Sequence, residues 1–491
     1  MTGLPGRAGT PKGAARQQVN LALAYLALIA AACTLGVAGL GVMARPLYML
    51  GGLGIAWFTM CRSPWLYLSA TMWFWLLTAF VRRVIEWRSG FHPTDFILAT
   101  PNLMALFMLK SILTTPGLLL RRELMPGLLV AASVTYGLCV SFLRGDVVAG
   151  AVAAADWLAP MFYLFYVVAH SNEAESLVPH LRAFLLLSMA VTVPYGLVQY
   201  FFLLDWDAAW MINSEMSSIG QPFPLQVRVF GTTNHPGFLA TWLGFCILLA
   251  PYLRSKVLLA LVPATVFLLV LTLVRSVYGS VALALLLSAL LGRGHALKPL
   301  MMVVLVLTSL SAGLALVNPV VAGNLIARLQ TIENLDEDDS AQTRKLIYQR
   351  TPEVISAHPF GLGIGALGRG AVASGDADLI HIDSGPLAAY LALGWAGGSA
   401  YIMGLLLSAG QALATRRHPS PLVLAFACAA ICPLAIFPFI NVINFSGTVM
   451  WLCFGCAAAL GSRTAGPRDA AWRSSPSRPR NRSAYARPMA P

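Results

Sequence analysis

Residues 257–291 read VLLALVPATVFLLVLTLVRSVYGSVALALLLSALL, and Arg275 is the single charged side chain in the run. A helix crosses the hydrocarbon core of a bilayer with about 20 mainly apolar residues, so a stretch of this length holds two short spans with their turn at Arg275–Ser276. An arginine at that depth is costly unless it meets water or an anion. The turn is therefore both a topological marker and a place to look for chemistry.

The same reading extends outward in both directions. Spans are expected at about 20–43, 46–61, 64–81, 96–116, 124–143, 147–169, 181–204, 235–251, 257–274, 277–291, 299–317, 385–407, 420–440 and 443–461. The cuts at 43/46, 274/277 and 440/443 are close, which sets the expectation at twelve to fourteen helices. Of the 491 residues 58% are hydrophobic and 11% charged, and the mean hydropathy is +0.72. A soluble domain carries about a quarter charged residues, so this chain lacks the polar surface to cover a water-soluble body. The fold class expected is an all-α polytopic membrane protein with one membrane domain, 20–461. The first apolar run is about 24 residues long, beyond a signal-peptide core, and is expected to stay as a helix.

The formal net charge of +13 is concentrated at the ends. Residues 1–19 carry Arg7, Lys12 and Arg16. Residues 462–491 carry seven arginines against Asp469 alone, amid Pro, Ser and Ala that bury too little apolar area to fold. Both read as basic cytoplasmic segments, the second disordered, lying near anionic headgroups rather than on nucleic acid. The eight cysteines fall in or beside apolar segments and read as small packing residues, the Cys453/Cys456 pair included. No metal or cofactor is expected.

Orientation follows from Lys and Arg in the short loops. An inside N-terminus also places Arg62, Arg121/Arg122, Arg182, Arg254/Lys256, Arg293/Lys298 and Arg416/Arg417 inside. The polar mass then falls outside, in a smaller loop at about 205–234 and a large one at about 318–384. Arg82, Arg83, Arg88, Arg144, Arg228 and Arg275 lie outside too, against the insertion bias. Local pairing, such as Arg88 with Glu86 or Arg144 with Asp146, is one account. A shared anion site is the favoured one for so many outward arginines on one apolar protein.

Three segments carry the chemistry. Val227 to Gly237, VRVFGTTNHPG, precedes a span that Pro236 begins. Free amides at that helix start beside Arg228 would make a phosphate seat, and a plain cap with a snorkelling arginine is the alternative. Asn234 and His235 sit at the same place. In the large loop Arg328 is followed by the acidic run 336–339, which reads as a helix start rather than a calcium loop. That helix puts Arg344 and Tyr348 on one face. His358 to Gly365, HPFGLGIG, has alternating glycines that suit close backbone packing. His381-Ile382-Asp383-Ser384 closes the loop at a water–lipid boundary, a place for a general base. Trp206, Trp210 and Tyr348 would either stack on sugars or anchor at the interface.

The order of these pieces resembles the O-antigen ligase and Wzy-type polymerase family over roughly residues 220–410. The shared elements are R-x-x-G at 228–231, the Arg275–Ser276 turn, D-x-S-x-x-x-R and HPFGLGIG in the loop, and a closing polar pair before a span with G-x-x-G. The resemblance implies a GT-C-like membrane enzyme of the bacterial inner membrane with both termini cytoplasmic. It implies a metal-independent, inverting glycosyl transfer at the periplasmic face. The partners would be a glycan donor on undecaprenyl pyrophosphate, a glycan acceptor, the lipid bilayer, a flippase and a chain-length regulator. By the same resemblance Arg228, Arg275 and Arg344 would neutralise the pyrophosphate, with Asn234, His235, Arg328, Tyr348 and Ser384 as substrate contacts. In ligases the loop closes on His-[Asn/Ser/Gln], nine residues, then G-x-x-G. Here that spacing lands on Asp383-Ser384 and Gly394-Trp395-Ala396-Gly397, with His381 two residues earlier. Asp383 in the base position is the polymerase form, so polymerisation of lipid-linked repeat units into exopolysaccharide or O-antigen is expected. Ligation to lipid A core or protein is the alternative. A lipid-linked sugar flippase is a third reading, which the large outer loop argues against.

Overall fold

The computed structural model describes residues 11–292, 355–368, 384–415 and 420–462, together with Gln349, Glu353, Ile382 and His418. The expected span 299–317, most of the large loop, residues 1–10 and residues 463–491 lie outside the described residues, whereas residues 11–19 of the basic N-terminal segment form the first turns of the first helix. Within them the fold is helical, and the β-type pairing is a single bridge between Gly220 and Val227. In lipid a backbone that bonds within itself is the stable solution, because no water is present to take up stray amides and carbonyls.

Among the described residues nine helices are long and apolar enough to cross a membrane, and three shorter apolar ones accompany them. In chain order the elements are α1 (Pro11–Val37), α2 (Gly41–Met60), α3 (Pro64–Ser89), α4 (Thr100–Leu106), α5 (Met108–Thr114), α6 (Met125–Leu143), α7 (Val147–Ala169) and α8 (Leu177–Phe202). Then come α9 (Asp205–Ser214), α10 (Pro236–Leu249), α11 (Lys256–Leu271), α12 (Arg275–Leu291), α13 (Gly385–Ala414), α14 (Pro421–Ala435) and α15 (Asn444–Gly461). Every expected span that is described coincides with one or two of these. The long apolar run divides in two as read, but the turn falls at 272–274, three residues earlier than expected: α11 ends at Leu271, and Arg275 and Ser276 are the first residues of α12. Two boundaries differ for a visible reason. α3 continues to Ser89, well past 81, because Arg82 and Arg83 find acceptors inside the protein. The span expected at 96–116 is broken into a 3-10 turn (Phe96–Ala99), α4 and α5.

Contacts identify two ends of the bundle. At one end Arg121 Nη1 donates to Val168 O (3.1 Å) and Trp65 Nε1 to Glu173 O (3.0 Å). At the other lie the end of α3, α9, residues 215–235, the α11–α12 turn and the start of α13. At this second end the starts of α10 and α15 meet through rings: His235 on Phe238, and Phe238 on Phe445. The chain then closes on Gly385 N, which donates to Phe437 O at 2.9 Å.

The HPFGLGIG segment packs by backbone. Helix α13 breaks at Gly394 (φ 67°), and residues 359–363 fill the break. Leu362 N donates to Leu391 O (2.8 Å), Gly363 N to Ala392 O (2.9 Å) and Trp395 N to Pro359 O (3.0 Å). Gly365 N donates to Ser141 Oγ of α6 at 2.9 Å. A Cβ on Gly394 would stand 2.7 Å from Gly361 N, and one on Gly363 (φ 87°) 2.7 Å from Ser141 N. Neither neighbour is a flexible side chain, so the segment and the G-x-x-G of α13 are one interlocked unit.

Gly363→Ala should therefore cost about 1–3 kcal/mol, the scale of overpacking a tight site, and lower the melting temperature in detergent by several degrees. Gly54→Ala, where a Cβ meets nothing within 4 Å, should leave it unchanged or raised.

Candidate functional site

The residues 228–235 are held from beneath by one buried guanidinium. Arg83, fully enclosed near the end of α3, pairs through Nε with Asp207 Oδ1 of α9 at 2.7 Å. Its two terminal nitrogens donate to Gly231 O (2.6 Å) and to Thr233 O. Phe230 and Trp210 lie against it, with ring centroids 4.9 Å and 5.8 Å from the guanidinium carbon. Asp207 in turn accepts from Tyr195 Oη and Gln199 Nε2 of α8, both at 2.8 Å. Gln199 Oε1 accepts from Phe230 N (3.0 Å) and Gly231 N (2.8 Å). Four backbone groups of this loop are thus satisfied by two side chains. A buried charge survives only when paired and hydrogen-bonded, and here every carboxylate oxygen has a donor.

Arg228 sits two residues before this clamp. Its guanidinium donates to Ser218 O (2.6 Å), Leu273 O (3.2 Å) and Thr272 O (3.4 Å). The last two carbonyls lie in the turn just past α11, where the chain has left the helix and its carbonyls need other partners. Val229 N also donates to Leu271 O at 3.1 Å. The structure thereby brings Arg228 onto the turn from which half-buried Arg275 starts α12.

His235 caps α10: its Nδ1 accepts from Gly237 N at 3.0 Å, and its carbonyl accepts from Phe238 N and Leu239 N. The first amides of α10 therefore have acceptors within the chain, and the helix start is not the open phosphate seat expected. Asn234 beside it is half-buried. Ser384 is buried and caps α13, accepting from Leu387 N at 3.4 Å. Asp383, His381, Arg344, Arg328 and Tyr348 lie outside the described residues.

Two of the arginines expected to lie outside are committed to carboxylates rather than to a shared anion site. Arg83 is one. Arg82 is the other, bound to Glu86 at 2.9 Å and to His92 O at 2.5 Å. Arg82, not Arg88, is thus the partner of Glu86; Arg88 lies over the Trp87 ring at 4.2 Å. Arg144 is exposed on the α6–α7 turn. Trp210 is buried against Phe230, so its ring faces the protein and not a sugar. Trp206 donates to Tyr195 Oη at 3.0 Å and packs edge-on against Trp87. Sequence reasoning passed over Tyr195, Gln199 and Asp207. Their signal was a tyrosine and a glutamine four residues apart in an apolar run, which places both on one helix face.

Capping assigns His235 a stability role. His235→Ala should cost about 1 kcal/mol, and His235→Asn should restore both melting temperature and activity. A stable His235→Asn protein without activity would place the imidazole on substrate instead.

The family model described as O-antigen ligase matches residues 257–402. A search of the curated proteins finds no match to the chain. The matched stretch begins with the α11–α12 pair that Arg228 is bound to and ends beyond the broken part of α13. The chain accordingly carries, over residues 257–402, a domain of the O-antigen ligase and Wzy-type family.

Proposed function

We propose that this protein polymerises oligosaccharide repeat units carried on undecaprenyl pyrophosphate, by inverting glycosyl transfer at the periplasmic face of the bacterial inner membrane. The observation that carries the reading is the docking of Arg228 on the Thr272–Leu273 turn, inside an O-antigen ligase-type domain. Two arginine-bearing segments distant in sequence are thereby joined at the bundle end where α13 begins.

In this reading the bond between the anomeric carbon and the pyrophosphate oxygen breaks as the acceptor hydroxyl oxygen bonds that carbon from the opposite face. Negative charge builds on the leaving pyrophosphate, and Arg228, Arg275 and Arg344 stabilise it. Asp383, with His381 nearby, takes the hydroxyl proton. A carboxylate suits a loose, oxocarbenium-like displacement. Asn234, Arg328 and Tyr348 are the candidate contacts to donor and acceptor, while His235 and Ser384 act through the helix starts that they cap. The growing glycan leaves one carrier and joins the repeat unit on the next. A flippase would supply the donor and a chain-length regulator would set the product. The second reading, ligation to lipid A core or protein, draws on the family description itself; Asp383 at the ligase histidine's place favours polymerisation.

The test uses protein reconstituted with a synthetic lipid-linked repeat unit, offered alone and together with lipid A core. Polymer from the first mixture is expected, and transfer only to core would establish ligation. Asp383→Asn should lower the rate about 10²–10⁴-fold, and Arg275→Ala about 10²–10³-fold, with melting temperatures unchanged. Wild-type rates in Asp383→Asn would remove the aspartate from the role of base.

A further inference from the structure

The Arg83 clamp lies below the surface of the bundle. Arg83 stands six residues before the end of α3, which is about 9 Å at 1.5 Å per residue. The turn 230–233 is drawn down to that depth, and its backbone oxygens and amides are bound by side chains of α3 and α8. Apolar packing alone would hold this part of the protein at less cost, since a buried ion pair is a poor source of net stability. What the pair supplies is direction. A guanidinium presents its donors in a rigid fork, so Gly231 O, Thr233 O and Asp207 can be met together in one loop conformation. Gln199 repeats the device with its carbonyl oxygen on two successive amides. From Phe230 the chain runs two residues back to Arg228, which reaches the α11–α12 turn.

We infer that Arg83, Asp207 and Gln199 are positioning residues for lipid-pyrophosphate transfer: through the 230–233 turn they set the place of Arg228 against the Arg275 turn. This rests on the donor-site reading of Arg228 given above. None of the three touches the donor; they act by fixing the loop that does.

The inference is tested in the full-length protein with two variants that keep the buried charges balanced. Arg83→Lys retains the pairing with Asp207 but offers its donors from one nitrogen, so it cannot hold Gly231 O and Thr233 O where the two arms of the guanidinium hold them. The double variant Arg83→Gln/Asp207→Asn removes both charges together. Each is assayed for melting temperature in detergent and for turnover of the synthetic lipid-linked repeat unit, with donor and acceptor varied separately. A misplaced arginine should raise the donor KM and lower kcat, together about a hundredfold in kcat/KM, while the acceptor KM and the melting temperature stay near wild type. Merely structural damage would lower kcat through the active fraction and leave both KM values alone, and that result overturns the inference. So does wild-type turnover by either variant, or failure of both to fold. Arg228→Lys in the same assay separates the two levels. Wild-type turnover there defeats the donor-site reading, whereas an inactive Arg228→Lys beside an active Arg83→Lys defeats the positioning role alone.

Discussion

A charge pair in a place without water governs how the described end of this bundle is built. Arg83 and Asp207 are each fully enclosed, and neither tolerates a missing partner in a medium of low dielectric. Satisfying them recruits Tyr195 and Gln199 from α8, and satisfying Gln199 recruits the backbone of 230–231. One requirement thus ties α3, α8, α9 and the turn before α10 together. Arg228 extends the chain of bonds to α11. The helices beneath are joined mainly by apolar packing, whereas this end is joined by directed bonds.

The two modes divide the labour between tolerance and definition. Apolar side chains between helices accept a range of packings, and in lipid they are not driven together by water. Hydrogen bonds to backbone carbonyls do not slide. The interlock of 359–363 with the break in α13 belongs to the second kind, as does the cap that His235 places on α10. Each lies where a chain segment leaves the regular helix, and there the backbone has to be met by specific partners.

Much of the fold was legible because a bilayer asks a simple question of a sequence. Apolar length decides a span, and the run 257–291 divides in two, with its turn at 272–274 just before Arg275. The errors arose where charge entered a helix. Arg82 and Arg83 were read as the exit of α3 because hydropathy counts a charge without asking whether it is paired, and the partner of Arg83 lies in α9. The site was legible in its order of motifs and less so in its contacts. The dipeptide Arg228–Val229 says nothing of Thr272, and a proline-initiated helix gives no warning that its preceding histidine occupies its own amides. Glycine spacing was the best guide: the alternation in HPFGLGIG is that of backbones in contact. Where Asp383 and Arg344 stand rests on the resemblance and their spacing.

The apolar helices around the Arg228 turn are short. α11 and α12, with 16 and 17 residues, rise about 24–26 Å, against a hydrocarbon core of about 30 Å. α14, with 15 residues, is shorter still. A short span is met by a thinner bilayer, by flanking side chains that reach up to the interface, or by association with a neighbour. Where the bilayer thins, headgroup water comes nearer to the arginines of that turn.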